Sequence, residues 1–324
     1  MSKKGETTRK TAKHILKLNA KEKREFLNSF DRIFSDVDGV VWARDEYIPR
    51  AAEGFKALAD AGKKFSFVTN NGVRTMSEYA QRFKELGIEF NASEFVYPAK
   101  SVVQYLDSIH FKGLIYVMAT DNFKNSLREA GYEFIFGPLK IIKETYSELA
   151  NHIFSGEPVR AVILDVDFNM SSLNLIRAHL FLRHPDCILI LGASDKFLPF
   201  AKGVDIIGPC SFAQIIADSS KKRLITLGKP GKELAEMMLK SFGIKERKRV
   251  LMIGDMLEQD VGFGSQCGFQ TLLVLSGGCN LEKMLAETDP VHIPDYYADS
   301  MGDFIEFLKD LKKAEGGEVF CYKQ

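Results

Sequence analysis

The sequence has no apolar run of membrane-spanning length, no Cys-x-x-Cys pair and no excess of charge of either sign. Each absence removes a class of protein. Lysine plus arginine number 44 against 43 aspartate plus glutamate, a formal charge of +1, so no global field draws the chain to nucleic acid or to an anionic membrane. Any basic site must be local. The cysteines Cys187, Cys210, Cys267, Cys279 and Cys321 are odd in number and widely spaced, which suggests neither a disulfide framework nor a zinc site. They read as reduced thiols. Met1 to Arg24 carries scattered lysines and only a short apolar patch (Ile15, Leu16, Leu18), with no signal-type run, so a cytoplasmic location is expected. The sequons at Asn91 and Asn169 carry no meaning there, and the six histidines lack metal-ligand spacing.

What is present is a globular composition, 45% hydrophobic and 27% charged over 324 residues, enough for one large or two ordinary domains. Residues 1–20 form a polar lead-in that is expected to be mobile. Glu22 to Phe30 suits a short helix, and Ile33 to Ser35 an apolar strand that opens into Asp36-Val37-Asp38-Gly39. Ala52, Phe55, Leu58 and Ala59 follow at helical spacing, with Pro49 before them and Gly62 after. The strand Lys64 to Val68 ends at Thr69-Asn70-Asn71-Gly72, and Thr75-x-x-Glu78 matches a capping box before another helix. Phe95 to Tyr97 suits a third strand, with a helix from Pro98. This alternation predicts an α/β fold, a doubly wound parallel-sheet (Rossmann-like) core whose polar turns share one sheet edge.

A second unit with its own alternation begins near Lys112: strands at Leu114 to Met118, Ala161 to Leu164 and Cys187 to Leu191, with helices between them. No glycine- or proline-rich linker separates it, so it is expected to be an inserted, smaller α/β cap. The expected division is a core of 21–100 and 222–324 with a cap of 101–221. After the insertion, Arg223 to Leu227 leads to Gly228-Lys229-Pro230-Gly231. The apolar strand Arg249 to Ile253 then ends in Gly254-Asp255, with Asp260 beyond.

Four strand ends thus present Asp36/Asp38, Thr69/Asn70/Asn71, Lys229 and Asp255/Asp260. Clustered carboxylates suit a hard cation, and magnesium takes one or two of them while keeping several waters. A lysine, a hydroxyl and turn N–H groups suit phosphate oxygens. A carboxylate beside both can attack phosphorus, and a second acid two residues on can serve as general acid and then base.

These motifs, in this order and with a long insertion between the second and third, resemble the haloacid dehalogenase superfamily of phosphatases. The resemblance runs from about Phe26 to Gly278, and is nearest to the branch with phosphoglycolate, pyridoxal phosphate and nitrophenyl phosphate phosphatases. It implies a magnesium-dependent phosphatase of a small phosphorylated metabolite, forming an aspartyl phosphate on Asp36 with Asp38 as acid/base. Thr69, Asn70 and Lys229 would hold the phosphoryl group, and Asn71 would support that turn. Mg2+ would lie between Asp36, the Asp38 carbonyl and Asp255. Asp260 would orient a metal-bound water or Lys229. The cap would contribute Asp167 and Asp195 toward substrate, and often a homodimer interface. A catalytically weak phosphate- and magnesium-binding regulatory protein and a phosphotransferase remain as alternatives.

Several positions depart from the family pattern. Ser35 replaces an apolar or aromatic residue, Gly72 the usual serine, Met256 the usual arginine and Asp165 a glycine. Gly192-Ala193-Ser194-Asp195 aligns with a Thr-Asn-x-Asp turn, so the threonine and asparagine are missing. Asp165-Val166-Asp167 also copies the Asp-x-Asp pattern but lacks the following glycine. Asp165 is read as solvent-facing or structural.

Overall fold

A computed structural model of the chain describes residues 11–154, 156–201 and 204–314. Contacts divide it into two compact units, one of 1–68, 81–95 and 242–324, the other of 69–80 and 96–241.

The first unit is built on a seven-stranded sheet. Its order is Lys13–His14, Tyr296–Ala298, Gln270–Val274, Val250–Gly254, Arg32–Ser35, Lys64–Val68 and Phe95–Val96. The pairings recorded among the first six are parallel. Val250–Gly254 is buried throughout, as an unbroken apolar run flanked on both faces must be. The amphipathic helices Ala51–Asp60 and Asp303–Ala314 bury Phe55 and Leu58, and Phe304, Phe307 and Leu311. Because all these strands run the same way, Ser35 and Gly254 end on the same edge. That edge carries the acidic turns.

One expectation is corrected at the N-terminus. Residues 1–10 lie outside the described residues, as does Cys321, but Lys13–His14 is an edge strand and Ile15–Lys17 a short 3-10 turn. Ile15 is fully buried, and His14 Nε2 stands 3.6 Å from the carboxylates of Asp299 and Asp303. Ile15 and Leu18, both buried, dock this basic stretch. The helix Ala20–Asn28 then starts at a capping box between Asn19 and Glu22.

The second unit has a five-stranded parallel sheet: Leu224–Thr226, Ile188–Leu191, Val159–Leu164, Leu114–Met118 and Phe134–Ile135. Strand alternation sends Ile115, Val117 and Ile163 to one face, where they meet Val102, Leu106, Phe123 and Leu127 of the helices Pro98–Ser108 and Asp121–Glu129. Tyr116, Met118, Val162 and Leu164 point to the other face, toward Ala178, Ala213 and Ile216 of Ser172–Phe181 and Pro209–Ser220. Helices therefore cover both faces. Phe197–Ala201 and Val204–Ile207 form a separate two-stranded antiparallel ribbon. Among the described residues no helix is long and apolar enough to cross a membrane.

Candidate active site

In the first unit, Asp36 follows the Arg32–Ser35 strand and its N–H donates to the Ile253 carbonyl at 2.8 Å, which continues the sheet by one residue. The chain then turns sharply, with the N–H groups of Val40 and Val41 donating to the Val37 carbonyl. Gly39 is required twice over: its φ is +83°, and a Cβ there would stand 2.1 Å from Asp255 Oδ2. That Asp255 oxygen accepts from the Gly278 N–H at 2.6 Å. Asp260 Oδ2 accepts from the N–H groups of Asp255 and Met256 at 3.1 and 3.0 Å, which fixes the turn carrying Asp255.

One oxygen from each of Asp36, Asp255 and Asp260 lies within 4.8 Å of the others, and all three residues are buried. Carboxylates so close repel unless positive charge stands among them. An all-oxygen donor set of this kind fits a hard divalent cation.

Asp38 is held differently. The Trp42 indole N–H donates to its Oδ1 at 3.0 Å, and Trp42 is fully buried. The Arg82 guanidinium lies over the Trp42 ring at 4.6 Å and is tied to Asp45 at 3.2 Å, so the indole is clamped from its far face. The bond from Trp42 to Asp38 is not foretold by the sequence. The signal available was position: the chain's one tryptophan stands four residues after Asp38. Ser35 is buried and donates to the Asp36 carbonyl at 2.7 Å, so this hydroxyl is satisfied locally.

In the second unit, Thr69 Oγ1 accepts from the Asn71 N–H at 3.0 Å, and Asn71 Oδ1 accepts from the Val73 N–H at 3.0 Å. Two successive side-chain turns thus shape this loop. Asn70 grips Lys229 through the main chain: its Oδ1 accepts from the Lys229 N–H at 2.7 Å and its Nδ2 donates to the Lys229 carbonyl at 2.8 Å. The Ser194 hydroxyl donates to the same carbonyl. Lys229 is 1% exposed, so its turn is buried and not a solvated loop. The capping box is present: Glu78 N–H donates to Thr75 Oγ1 at 3.2 Å, and Thr75 N–H to Glu78 Oε2 at 2.6 Å.

Asp165 is fully buried, which removes the solvent-facing alternative and leaves the structural one. Its Oδ1 accepts from the Val166 N–H at 2.8 Å and its Oδ2 from the Ala193 N–H at 2.7 Å. Burial pushes its carboxyl up to about 7 in spite of those two donors, with Asp195 adding to the rise. Asp167 and Asp195 are both partly exposed, and Asp167 Oδ1 accepts from the Asn169 N–H at 2.8 Å.

Residues 33–133 match the family model described as haloacid dehalogenase-like hydrolase, and residues 226–304 match the HAD-hydrolase-like model. Chronophin of Mus musculus is 30% identical, over 89% of this chain and 96% of its own. The chain belongs to the haloacid dehalogenase-like hydrolases. Within them it is of the phosphatase type; glycerol-3-phosphate phosphatase of Homo sapiens is 27% identical over 91% of this chain and 96% of its own. The crystal structure of glycerol phosphate phosphatase from Mycobacterium tuberculosis in complex with magnesium shares the fold. Its TM-score is 0.66 and its identity 20%, over 85% of this chain and 77% of that one.

The expected site residues of this haloacid dehalogenase-like hydrolase therefore fall into two groups. Asp36, Asp38, Asp255 and Asp260 lie together in the first unit. Thr69, Asn70, Asn71 and Lys229 lie together in the second. Sequence reasoning missed three contributors: the Gly278 N–H on Asp255, Ser194 on the Lys229 turn, and Asp165 on the Ala193 N–H.

Proposed function

We propose that this hydrolase is a magnesium-dependent phosphatase of small phosphate monoesters that works through an aspartyl phosphate on Asp36. The observation that carries the reading is the gathering of three buried carboxylates around the end of the Asp36 strand. The Asp36 carboxylate attacks phosphorus while the bond from phosphorus to the leaving oxygen breaks, and Asp38 donates its proton to that oxygen. Asp38 then takes a proton from water as the water attacks the aspartyl phosphate, which releases inorganic phosphate and restores both acids. The indole N–H of Trp42 holds Asp38 Oδ1 in place for both transfers.

Asp36, Asp255 and the Asp38 carbonyl would hold Mg2+, with Asp260 acting one step removed through its grip on the Asp255 turn. When bound, the cation neutralises charge on the phosphoryl oxygens as nucleophile and leaving group exchange. Lys229 and Thr69 hold the phosphoryl group. Asn70, whose amide is committed to the Lys229 main chain, contributes its own N–H and fixes the lysine. Asn71 shapes the turn.

Residues 101–221 serve as the cap domain of a core of 21–100 and 222–324, and Asp167 and Asp195 contribute to substrate specificity. Candidate substrates are phosphoglycolate, pyridoxal phosphate, glycerol phosphate and aryl phosphates. The ribbon 197–207 leaves Phe197, Phe200, Val204 and Ile207 exposed, a patch suited to pairing two caps in a homodimer. The location is cytoplasmic, in keeping with the thiols of Cys187, Cys267 and Cys279, which form no disulfide among the described residues.

A panel of phosphorylated metabolites, assayed for phosphate release with and without magnesium, tests this reading. Turnover should require the metal and vanish in Asp36→Asn. No release from any ester, or release that survives chelation, would sink it.

A further inference from the structure

Three of the departures from the family pattern meet at one point inside the second unit. A Cβ on Gly72 would stand 2.8 Å from Asp165 Oδ1, and a Cβ on Gly192 would stand 2.2 Å from Asp165 Oδ2. Neither position has room for a side chain while an aspartate occupies 165. Conversely, glycine at 165 would empty the volume that the carboxylate fills. Serine at 72, glycine at 165 and threonine at 192 is thus one way to fill this space from two sides. Glycine, aspartate and glycine is another, filling it from the third.

The carboxylate does more than fill space. Its Oδ2 holds the Ala193 N–H, and the next residue, Ser194, places its hydroxyl on the Lys229 carbonyl. A Cβ on Gly228 would stand 2.4 Å from the Gly192 carbonyl oxygen, so the two turns are in close backbone contact. A continuous path therefore runs from a buried acid, through the 192–195 turn, to the main chain of Lys229. Asn70 holds that main chain from its other side.

We propose that Asp165 is a positioning residue that locks the Gly192–Asp195 turn against Lys229, and that Gly72, Asp165 and Gly192 function as a single exchangeable set. The proposal rests on the reading that Lys229 holds the phosphoryl group. Loosening the set displaces the lysine from the phosphate it binds, so binding suffers more than chemistry.

The test uses the full magnesium-loaded chain and 4-nitrophenyl phosphate, with Asp165→Gly, Gly72→Ser, Gly192→Thr, the triple variant and the milder Asp165→Asn. Asp165→Gly, Gly72→Ser and Gly192→Thr should each lower Tm. Asp165→Gly should raise KM and the Ki of inorganic phosphate about tenfold with kcat within about threefold, the size of one lost hydrogen bond to a charged group. The triple variant should recover most of the loss in both Tm and KM. Additive effects, with the triple variant worse than every single one, would overturn the exchangeable set. A fall in Tm with unchanged KM and Ki in Asp165→Gly, or unchanged KM and Ki in Asp165→Asn, would reduce Asp165 to a packing role and overturn the positioning claim. Should the wild-type chain fail to turn over any ester, the phosphatase reading falls separately; coupling or additivity in Tm then still decides whether the three positions form one set.

Discussion

A single buried carboxyl gives this protein a measurable pH dependence of stability. Asp165 is pushed up to about 7 from an ordinary value of 3.8, chiefly by burial, so the folded chain keeps this proton over a range in which the unfolded chain has lost it. The sign follows from linkage: where the folded state binds more protons, stability falls as pH rises. The contribution of Asp165 is therefore complete below 3.8, declines by about 1.4 kcal/mol for each pH unit above that, and is lost by about pH 7. The total is about 4 kcal/mol, a large share of the 5–15 kcal/mol typical of domains. Replacing Asp165 by asparagine keeps the volume and removes the titration. Urea denaturation of wild type and variant at intervals from pH 4 to 8 reads the difference directly, and other carboxyl groups cancel because both proteins carry them. The variant should gain on the wild type by about 4 kcal/mol across that range, then run parallel above pH 7. Parallel curves from pH 4 onward would refute the reasoning, because they would mean that Asp165 ionises alike in both states.

Other consequences of the geometry are as direct. Trp42→Phe keeps the ring under Arg82 but removes the only indole N–H on Asp38, so kcat should fall about 10- to 100-fold with KM little changed; an unchanged kcat would show that Asp38 needs no such partner. Asp260→Asn should weaken magnesium binding about 10- to 100-fold in calorimetry by loosening the Asp255 turn, and an unaltered affinity would remove Asp260 from the site. Replacing both Phe197 and Phe200 by aspartate, on a ribbon where each is more than half exposed, should convert a dimeric mass in light scattering to a monomeric one. A monomeric wild-type chain would end the cap-pairing proposal.

The parts of this fold legible in the sequence are those set by local chemistry. The apolar runs at 114–118 and 250–254 read as strands buried on both faces and Lys64–Val68 as a strand that enters the core at Ser66, so the acidic or polar residues just past them fall at strand ends. The Thr75/Glu78 box was equally readable, because its two hydrogen bonds join residues three apart. What escaped was decided by distant residues. Lys13–His14 is a strand only because Tyr296–Ala298 offers an edge some 280 residues away, and two residues leave no periodic signature. The strands Phe197–Ala201 and Val204–Ile207 are 5 and 4 residues long and the first contains Pro199, so they leave little alternation to read. Asp165 looked ambiguous because an aspartate after an apolar run can face water or core. The outcome depended on Gly72 and Gly192 clearing space for it. Asp260 was anticipated beside the metal ligands, while the N–H groups it binds, of Asp255 and Met256, lie just before the π-helical turn Leu257–Gly262 that carries it, which spacing alone does not foretell.

The central claim is that Asp36 carries the phosphoryl group. Mixing the magnesium-loaded enzyme with a phosphate ester labelled at phosphorus, quenching in acid within one turnover, and mapping the label by mass spectrometry tests it most directly. The account predicts a covalent phosphate on the peptide containing Asp36, absent from Asp36→Asn, which should also release no inorganic phosphate. Steady hydrolysis by an enzyme that never becomes labelled, or undiminished turnover by Asp36→Asn, would contradict it.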